Sequence, residues 1–497
     1  MRIISTTQPR TRRPGASVHL EELTEQICRE LVVLPSAYGE GGEAAVADAL
    51  TRWGCTLGWE PVCGSENDLG NGRKNAFLFI PGRTKRTILL IGHSDTVGYR
   101  SYAKFFPGRE REAATNPDEL ARIHGSPEGY LPGRGAFDMK AGLAAQLIGG
   151  HLAKECDSAC SLLFACFADE EGLSLGARHG AAALERFAHV RGLEYIYAIN
   201  SEIVPEGDSQ YPVWFGSEGK VNVLVTLYEP PRHAGYISGF SVRKVLDFFK
   251  KIPHPQGYGS SICLYDLVAR VMTLTDKASL LSISTGPKDG YTGGGAIHVL
   301  FSLPYRSGEC DKRLMDFRKA LASACEYRAE FYFCGPDDVK KNHLAVPEAK
   351  VPYVHGVANA VEAWLQSRSG NATVAMTLLD PWYPAAPFPA ELKKRLSGRI
   401  SEISGKLGIA AKPEGEFPFI SDASFLWGSP DEQEREMSAT IVPDPELDGI
   451  RMIPLGVPVV NLGPLGADAH LATERVKKDF AFSVLPKLIG AVAGREC

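Results

Sequence analysis

The residues of this sequence best suited to chemistry are histidines and carboxylates that follow short apolar runs. The apolar run 88–91 ends in Gly92, which His93 and Asp95 follow, and three adjacent carboxylates at 169–171 follow the run 162–168. Successive side chains of an extended chain alternate in direction, so two residues two apart can face the same way where a strand ends. Ligands of open α/β sheets bind at the carboxyl ends of the strands. These positions therefore predict a site at one edge of a sheet.

Each of these patterns also has an ordinary structural explanation. Asp138 precedes the helical stretch 143–152, where a carboxylate can serve simply as the N-cap. Three adjacent carboxylates can form a solvated acidic turn, because they repel one another unless water or a cation is nearby. A His-x-Asp pair after a strand is by itself common. A metal site is favoured because several such positions recur, each at the boundary of a predicted element.

Five of the histidine and carboxylate positions form a candidate set of metal ligands. Imidazole nitrogens and carboxylate oxygens are both zinc ligands. Five ligands cannot surround one tetrahedral ion and leave an open position, but they suit two ions about 3.5–4 Å apart that share one carboxylate. The set consists of His93, Asp138, Glu171, Glu202 and His470.

Three acidic residues receive separate roles within this hypothesis. Asp138 is the shared ligand, and Asp95 orients the ring of His93. Glu170 lies beside a ligand without being needed as one, so it is the candidate general base that takes a proton from a metal-bound water. The predicted cofactor is a pair of Zn²⁺ ions. Mn²⁺ and Co²⁺ stay open as alternatives, because the order of affinities alone does not choose the metal.

Length and composition exclude several function classes. The chain has 497 residues, which exceeds what one hydrophobic core usually covers, so two domains are expected. Its net charge of −5 shows no basic excess of the kind that nucleic-acid binding requires. No apolar run reaches the roughly 18 residues that a membrane span needs. We therefore expect neither a nucleic acid nor a membrane as a partner.

The cysteines and the N-terminal stretch favour a cytoplasmic protein. There are eleven cysteines, an odd number without a repeating spacing, which predicts reduced thiols and not a framework of disulfides. No Cys-x-x-Cys pair is present, so a thiolate zinc site is not expected. The basic residues in the first 16 positions are not followed by an apolar region, so this stretch is predicted to be a loose tail and not a secretory signal.

The order of the predicted elements indicates an α/β fold with an inserted domain. Up to Pro212, helical patterns and apolar strands alternate, which predicts a mixed, mostly parallel sheet flanked by helices. After Pro212 the predicted elements become a mixture of strands and helices, which suits a separate α+β domain inserted in the first domain. The predicted division is a flexible tail at 1–16, a catalytic domain at 17–212 and 341–497, and an insert at 213–340.

The chemical motifs keep a specific order along nearly the whole chain. His-x-Asp stands at 93–95, Gly-x-x-Asp-Met-Lys at 135–140, Asp-Glu-Glu at 169–171, an acidic residue after a strand at 202, and a late histidine within 466–474. This order resembles the M20 family of zinc metallopeptidases and amidohydrolases. Within that family the chain is most similar to the arginine-utilisation branch, and the stretches that carry this similarity are 133–135, 200–202, 216–221 and 420–422.

The resemblance implies a fold, an activity and one further residue. It implies a zinc exopeptidase-like catalytic domain and an inserted lid domain through which two copies form a homodimer. It also implies hydrolysis of an amide bond, in which a metal-bound hydroxide attacks the carbonyl and Glu170 passes the proton to the leaving nitrogen. His233 looks like the lid histidine that stabilises the oxyanion in the active site of the neighbouring subunit. The alternative for His233 is an ordinary histidine in a surface loop.

Departures from the family pattern leave parts of this hypothesis open. Many members have Asp-Ile-Arg at a lid strand, whereas this chain has Ser-Leu-Pro-Tyr-Arg at 302–306, so Arg306 is only a candidate to bind a substrate carboxylate. The proline-containing segment 379–416 has no role that the family suggests. The expected substrate is a short peptide or an N-acyl amino acid. The alternative is a binding or scaffold protein that keeps the fold without chemistry, but the presence of every ligand position argues for the enzyme.

Overall fold

The chain divides into two compact units. Unit 1 comprises Met1–Ser217, Ala386–Gly428 and Arg451–Cys497, and unit 2 comprises Glu218–Ala385 and Ser429–Ile450. The computed structural model describes residues 16–62, 64, 67–123, 128–207, 209–229, 278–285, 295–324, 330–342, 353–368, 373–419, 421–447, 449–450 and 452–494.

The described residues form strands β1 to β20 and helices α1 to α13. The strands are β1 (Glu60–Pro61), β2 (Asp68–Gly70), β3 (Arg73–Lys74), β4 (Ala76–Ile80), β5 (Arg86–His93), β6 (Tyr130–Pro132), β7 (Ser161–Phe167), β8 (Glu194–Asn200), β9 (Val204–Pro205), β10 (Tyr211–Phe215), β11 (Gly219–Glu229), β12 (Ser279–Thr285), β13 (Gly295–Tyr305), β14 (Glu330–Phe333), β15 (Thr373–Tyr383), β16 (Ala411–Pro413), β17 (Ile441–Val442), β18 (Val459–Asn461), β19 (Leu465–Ala467) and β20 (Arg475–Lys477). The helices are α1 (Ala16–Val33), α2 (Glu43–Thr56), α3 (Glu110–Ala114), α4 (Pro117–Ile123), α5 (Ala141–Glu155), α6 (Leu175–Arg191), α7 (Cys310–Ala324), α8 (Pro336–Asn342), α9 (Tyr353–Gln366), α10 (Ala390–Lys406), α11 (Ala423–Trp427), α12 (Glu432–Ser438) and α13 (Leu485–Gly494).

Unit 1 is built on an eight-stranded mixed sheet in the order β1-β4-β7-β5-β8-β18-β10-β16. Its centre is parallel, because β5 pairs in parallel with both β7 and β8, and β8 pairs in parallel with β18. Towards the edges, β4 and β10 run antiparallel to their inner neighbours. The fold class predicted from the sequence, a mostly parallel mixed sheet flanked by helices, is confirmed.

Helices cover both faces of this sheet, which explains why its central strands are uniformly apolar. All seven residues of β7 are buried. Leu162 and Phe164 join the core cluster that includes α5 and α13, while alternate residues point to the other face. On that face Phe79 of β4 meets Phe187 of α6, with ring centroids 5.3 Å apart. Parallel strands buried on both sides read as continuous hydrophobic runs.

Unit 2 contains a six-stranded sheet in the order β12-β13-β11-β15-β14, with β17 paired to β15. The strands β11 and β13 pair antiparallel over their full length, from Gly219 opposite Tyr305 to Glu229 opposite Gly295. Residues of α9, including Trp364, pack on one face of this sheet and form its core. The architecture is that of an α+β unit.

The division of the chain differs from the predicted one at the end of the insert, and unit 2 also includes the later segment Ser429–Ile450. The insert was predicted at 213–340, whereas unit 2 begins at Glu218 and the chain returns to unit 1 at Ala386. The reason is β15, which the sequence placed in the catalytic domain but which pairs with β11. An apolar run shows that a strand exists, but its partner depends on contacts far along the chain. The segment 379–416 accordingly completes β15 and then supplies α10, whose Leu396 is buried in unit 1.

The cysteines differ in part from the expectation of reduced thiols. Cys160 is disulfide-bonded. Six described cysteines are free: Cys28, Cys55, Cys156, Cys166, Cys310 and Cys334. Across the described residues no helix is both long and apolar enough to cross a membrane.

Candidate metal centre

Three neighbouring parallel strands deliver candidate ligands to one edge of the unit 1 sheet. His93 is the last residue of β5 and lies opposite Phe167, the last residue of β7. Glu171 follows β7, and Glu202 follows β8 by two residues. Since the carboxyl ends of parallel strands meet at one edge, these side chains converge there. The convergence that the sequence predicted for these strand ends is present in the structure.

Asp138 lies between two groups of candidate ligands and faces both. Its Oδ1 is 3.2 Å from Nε2 of His93, and its Oδ2 is 3.0 Å from Nε2 of His470. Glu202 Oε1 is 3.4 Å from the same nitrogen of His93, and Glu171 Oε1 is 3.1 Å from that of His470. We call His93, Asp138 and Glu202 the inner triad, and Asp138, Glu171 and His470 the outer triad.

The two triads differ in their exposure. All three side chains of the inner triad are buried, whereas the His470 side chain of the outer triad is 50% exposed. Within each triad, one ligand atom from each residue lies within 4.8 Å of the others. Two imidazoles and three carboxylates with one carboxylate in common fit a pair of divalent cations. The donor set is therefore compatible with the dinuclear arrangement.

Burial and pairing between opposite charges together determine the pKa values of the five residues. Burial would raise the pKa of Asp138, but hydrogen bonds with His470 and His93 outweigh it and lower that pKa. The hydrogen bond to Asp138 and then the one to Glu171 raise the pKa of His470 to about 10. Burial raises the pKa of both Glu171 and Glu202. Burial opposes protonation of His93, but the charge of Glu202 and the hydrogen bond with Asp138 outweigh it and raise the pKa of His93 well above its usual value. A metal ion that binds has to displace any proton that these histidines carry.

Asp95 connects His93 to the acidic segment after β7. Its Oδ1 accepts a hydrogen bond of 3.0 Å from the Glu170 N–H, and its Oδ2 accepts one of 2.9 Å from the Glu171 N–H. The same Oδ1 is 3.5 Å from Nδ1 of His93. Asp95 is fully buried. It can therefore orient the His93 ring, as predicted, and it also fixes the backbone that carries Glu170 and Glu171.

Glu170 is a buried carboxyl group that belongs to neither triad. Its side chain is 8% exposed. Burial raises its pKa well above the usual value; the charge of His93 opposes this increase, and the neighbouring carboxylates Glu202 and Glu171 add to it. A carboxyl group with a raised pKa beside a cation site has the properties of a general acid or base.

Three residues near the triads were not assigned roles from the sequence. Arg134 and Glu474 form a buried ion pair. Asp422, next to α11, is 3% exposed, and burial raises its pKa to about 8. The negative charges of Asp95 and Glu202 contribute to this increase. The sequence signal was present, because 133–135, 420–422 and 466–474 all belong to motifs, but nothing in a motif shows which residues pair.

The two candidates from the inserted domain are not brought to the triads by any described contact. His233 lies outside the described residues, so its assignment stays a prediction. Arg306 follows β13 in unit 2, where its Nε is 3.6 Å from Oε1 of Glu218. Its side chain is 58% exposed. Its assignment to a substrate carboxylate likewise stays a prediction.

Gly463 allows β18 to approach the backbone of Glu202. A Cβ at this position would lie 1.5 Å from the carbonyl oxygen of Glu202. Asn461 completes the attachment, because its Oδ1 accepts a hydrogen bond of 3.0 Å from the Glu202 N–H. Only a residue without a side chain fits between this strand end and the candidate ligand.

We expect Gly463→Ala to displace Glu202 and to lower the free energy of unfolding by about 1–3 kcal/mol, the usual cost of overpacking. Urea denaturation measures the stability, and metal titration measures the effect on the ligand. Gly405→Ala is the matched control, because Gly405 lies in α10 and a methyl group there would meet no neighbouring atom within 4 Å. The control should be neutral or slightly stabilising. Equal stability of the two variants would contradict the steric argument.

Comparison with known proteins identifies the family of this chain. Residues 89–446 match the sequence profile of peptidase family M20/M25/M40. The chain belongs to this family. The matched range contains four of the five candidate ligands, and His470 follows it. Membership of the M20 family places the chain among the hydrolases.

Relatives within the M20 family span nearly the whole chain. Protein RocB of Bacillus subtilis is 24% identical, with 94% of each chain covered. The solved structure of aminopeptidase PepT from Bacillus cereus is 16% identical with a TM-score of 0.54, and the match covers 95% of this chain and 98% of that one. The YXEP protein of Bacillus subtilis, described as a dinuclear metal-binding peptidase, is 10% identical with a TM-score of 0.53, at 96% and 98% coverage. The M20 fold is thus shared over both units.

Proposed function

We propose that this M20 family protein hydrolyses an amide bond in a short peptide or an N-acyl amino acid, with two Zn²⁺ ions as its cofactor. The observation that carries the proposal is the position of Asp138, whose two oxygens face His93 and His470 in different triads. A carboxylate shared in this way suits a co-catalytic pair of metal ions. The description of YXEP as a dinuclear metal-binding peptidase supports the same assignment.

The five ligand residues would hold the ions, and the inner and outer triads would take one ion each. A bound pair of divalent cations would supply the positive charge that polarises the substrate carbonyl and lowers the pKa of water. Imidazole and carboxylate donors suit zinc, and they also accept manganese or cobalt. Asp95 would keep the Nε2 of His93 directed at the inner position, because it lies beside the Nδ1 side of the ring.

Glu170 would move the proton during hydrolysis. A water oxygen forms a bond to the carbonyl carbon, and Glu170 accepts the proton that this oxygen loses. The C–N bond then breaks, and Glu170 returns the proton to the leaving nitrogen. The burial of Glu170 and the carboxylates around it support this role, since they keep its proton affinity high. His233 would stabilise the oxyanion, as the family resemblance implies.

The proposal extends to the setting of the enzyme. The similarity to RocB supports a role in arginine utilisation by analogy alone. We also propose a cytoplasmic location and a homodimer formed through the inserted unit 2, which would bring His233 to the site of the partner. The second candidate function, a binding protein without chemistry, predicts the same fold and the same ligands but no turnover.

A metal-reconstitution assay tests the proposed function. Protein stripped with a chelator is expected to be inactive on a panel of dipeptides and N-acyl amino acids, and to recover turnover of at least one compound when two equivalents of Zn²⁺ are added. Mn²⁺ and Co²⁺ are added in parallel to rank the metals. Uptake of two ions without turnover of any compound would favour the binding protein. Failure to bind any metal would overturn the proposal.

A further inference from the structure

Arg134 and Glu474 form an ion pair in the interior of unit 1. Their side chains are 2% and 0% exposed, and 340 residues separate them in sequence. Moving two charges out of water is costly, so a buried ion pair is often no more stabilising than apolar residues of the same volume. The pair therefore calls for an explanation other than stability, and its remaining hydrogen bonds provide one.

Glu474 holds the backbone that carries the shared ligand. Its Oε1 accepts hydrogen bonds of 3.3 Å from the N–H groups of both Phe137 and Asp138. Its Oε2 accepts the hydrogen bond from Arg134 Nη1. One carboxylate thus connects the Arg134 guanidinium to the backbone N–H groups of Phe137 and Asp138. These contacts hold the Asp138 backbone in place, and with it the base of the Asp138 side chain.

Arg134 holds the backbone that carries the exposed ligand. Its Nη2 donates a hydrogen bond of 3.0 Å to the carbonyl oxygen of His470 and one of 2.8 Å to Ser101 Oγ. The His470 backbone has a φ of 68°, which lies in the left-handed region that residues with a side chain adopt at a cost. A side chain that is half exposed on a strained backbone needs such an attachment to stay in place.

We propose that the Arg134–Glu474 pair is a positioning unit for the outer triad: it fixes the distance between Asp138 and His470 and thereby the affinity of the outer position for its metal ion. This inference rests on the proposed function, since it assumes that the triads bind metal. The two ligands that belong to the inner triad alone are held by other residues. Asp95 contacts the His93 ring, and Asn461 accepts a hydrogen bond from the Glu202 N–H. The pair therefore acts on the outer position more than on the inner one.

Metal titration of two variants tests the proposal. Glu474→Gln keeps an acceptor for the two N–H groups but removes the charge that holds Arg134. A double variant, Arg134→Met with Glu474→Gln, leaves no unpaired buried charge and so keeps the fold measurable. Both are expected to weaken one of the two Zn²⁺ equivalents by about 10- to 100-fold, as for other residues behind metal ligands, and to leave the other within a few-fold. In a titration with Co²⁺, the absorption spectrum of the weakened equivalent should differ from that of wild type, and the spectrum of the other equivalent should not.

The control is Arg52→Met, which breaks an exposed ion pair with Glu30 and should change neither equivalent. If wild type binds two ions and the double variant binds both with unchanged affinity, the positioning role is overturned while the proposed function stands. Equal weakening of both equivalents would show a general structural role and would also overturn it. If wild type itself binds fewer than two ions, the proposed function fails and this inference fails with it.

Discussion

Replacing Glu170 with alanine is expected to lower kcat by about 100- to 10,000-fold while the metal content stays at the wild-type value. The side chain belongs to neither triad, so its removal takes away no ligand atom. Asp95 contacts the Glu170 backbone and not its side chain, so the acidic segment keeps its position. The loss should therefore fall on proton transfer alone. Steady-state kinetics on the best panel substrate, together with elemental analysis of the same preparation, measures both quantities.

Glu171→Ala is the matched contrast for this experiment, because the neighbouring residue is one of the outer-triad ligands. It should lower the metal content and the activity together. Glu170→Gln should behave like Glu170→Ala, since an amide cannot accept the proton at neutral pH although it fills the same space. Turnover of Glu170→Ala close to that of wild type would exclude this residue as the general base.

Replacing Asp138 with alanine is expected to have the largest effect on metal binding, with both ions lost instead of one. Each of the other four ligands belongs to only one triad, whereas Asp138 belongs to both and contributes one oxygen to each. Its removal also deprives both His93 and His470 of the carboxylate oxygen that each of them contacts. We expect the metal content to fall from two equivalents per chain to well below one, and activity to fall with it.

The single-triad variants provide the comparison. Glu202→Ala removes an inner-triad ligand and His470→Ala an outer-triad ligand, so each should retain close to one equivalent. Circular dichroism of all three variants verifies that the sheet is intact. If Asp138→Ala retains one full equivalent, Asp138 is not the shared ligand, and the two triads are not one dinuclear site.

The sequence predicted the parts of this protein that depend on local pattern. Strands β5, β7 and β8 are continuous apolar runs that end in polar residues, so both their burial and the chemistry at their ends could be predicted. Because ligands of open α/β sheets bind at the carboxyl ends of the strands, His93, Glu171 and Glu202 could be predicted to lie together without knowledge of the order in which the strands pair. Neither inference required contacts between distant parts of the chain.

Features that depend on distant contacts were missed. The Arg134–Glu474 pair spans 340 residues, and both residues have types that are usually exposed, so no pattern in the sequence indicates that they are buried together. The boundary at Ala386 was missed because β15 has the same apolar character whichever sheet it joins. The exposure of His470 depends on a loop conformation that its neighbours in sequence do not reveal.

The four crossings between the units, after Ser217, Ala385, Gly428 and Ile450, restrict how this chain can be cut or recombined. Deleting 218–385 as a single cassette would leave β17 without β15, the strand with which it pairs. A graft that transplants unit 2 into another scaffold needs two insertion points, and a circular permutant leaves every segment of both units uncut only if its new ends lie at one of the four crossings. For protein engineering, unit 2 is a pair of insertions that has to be moved together.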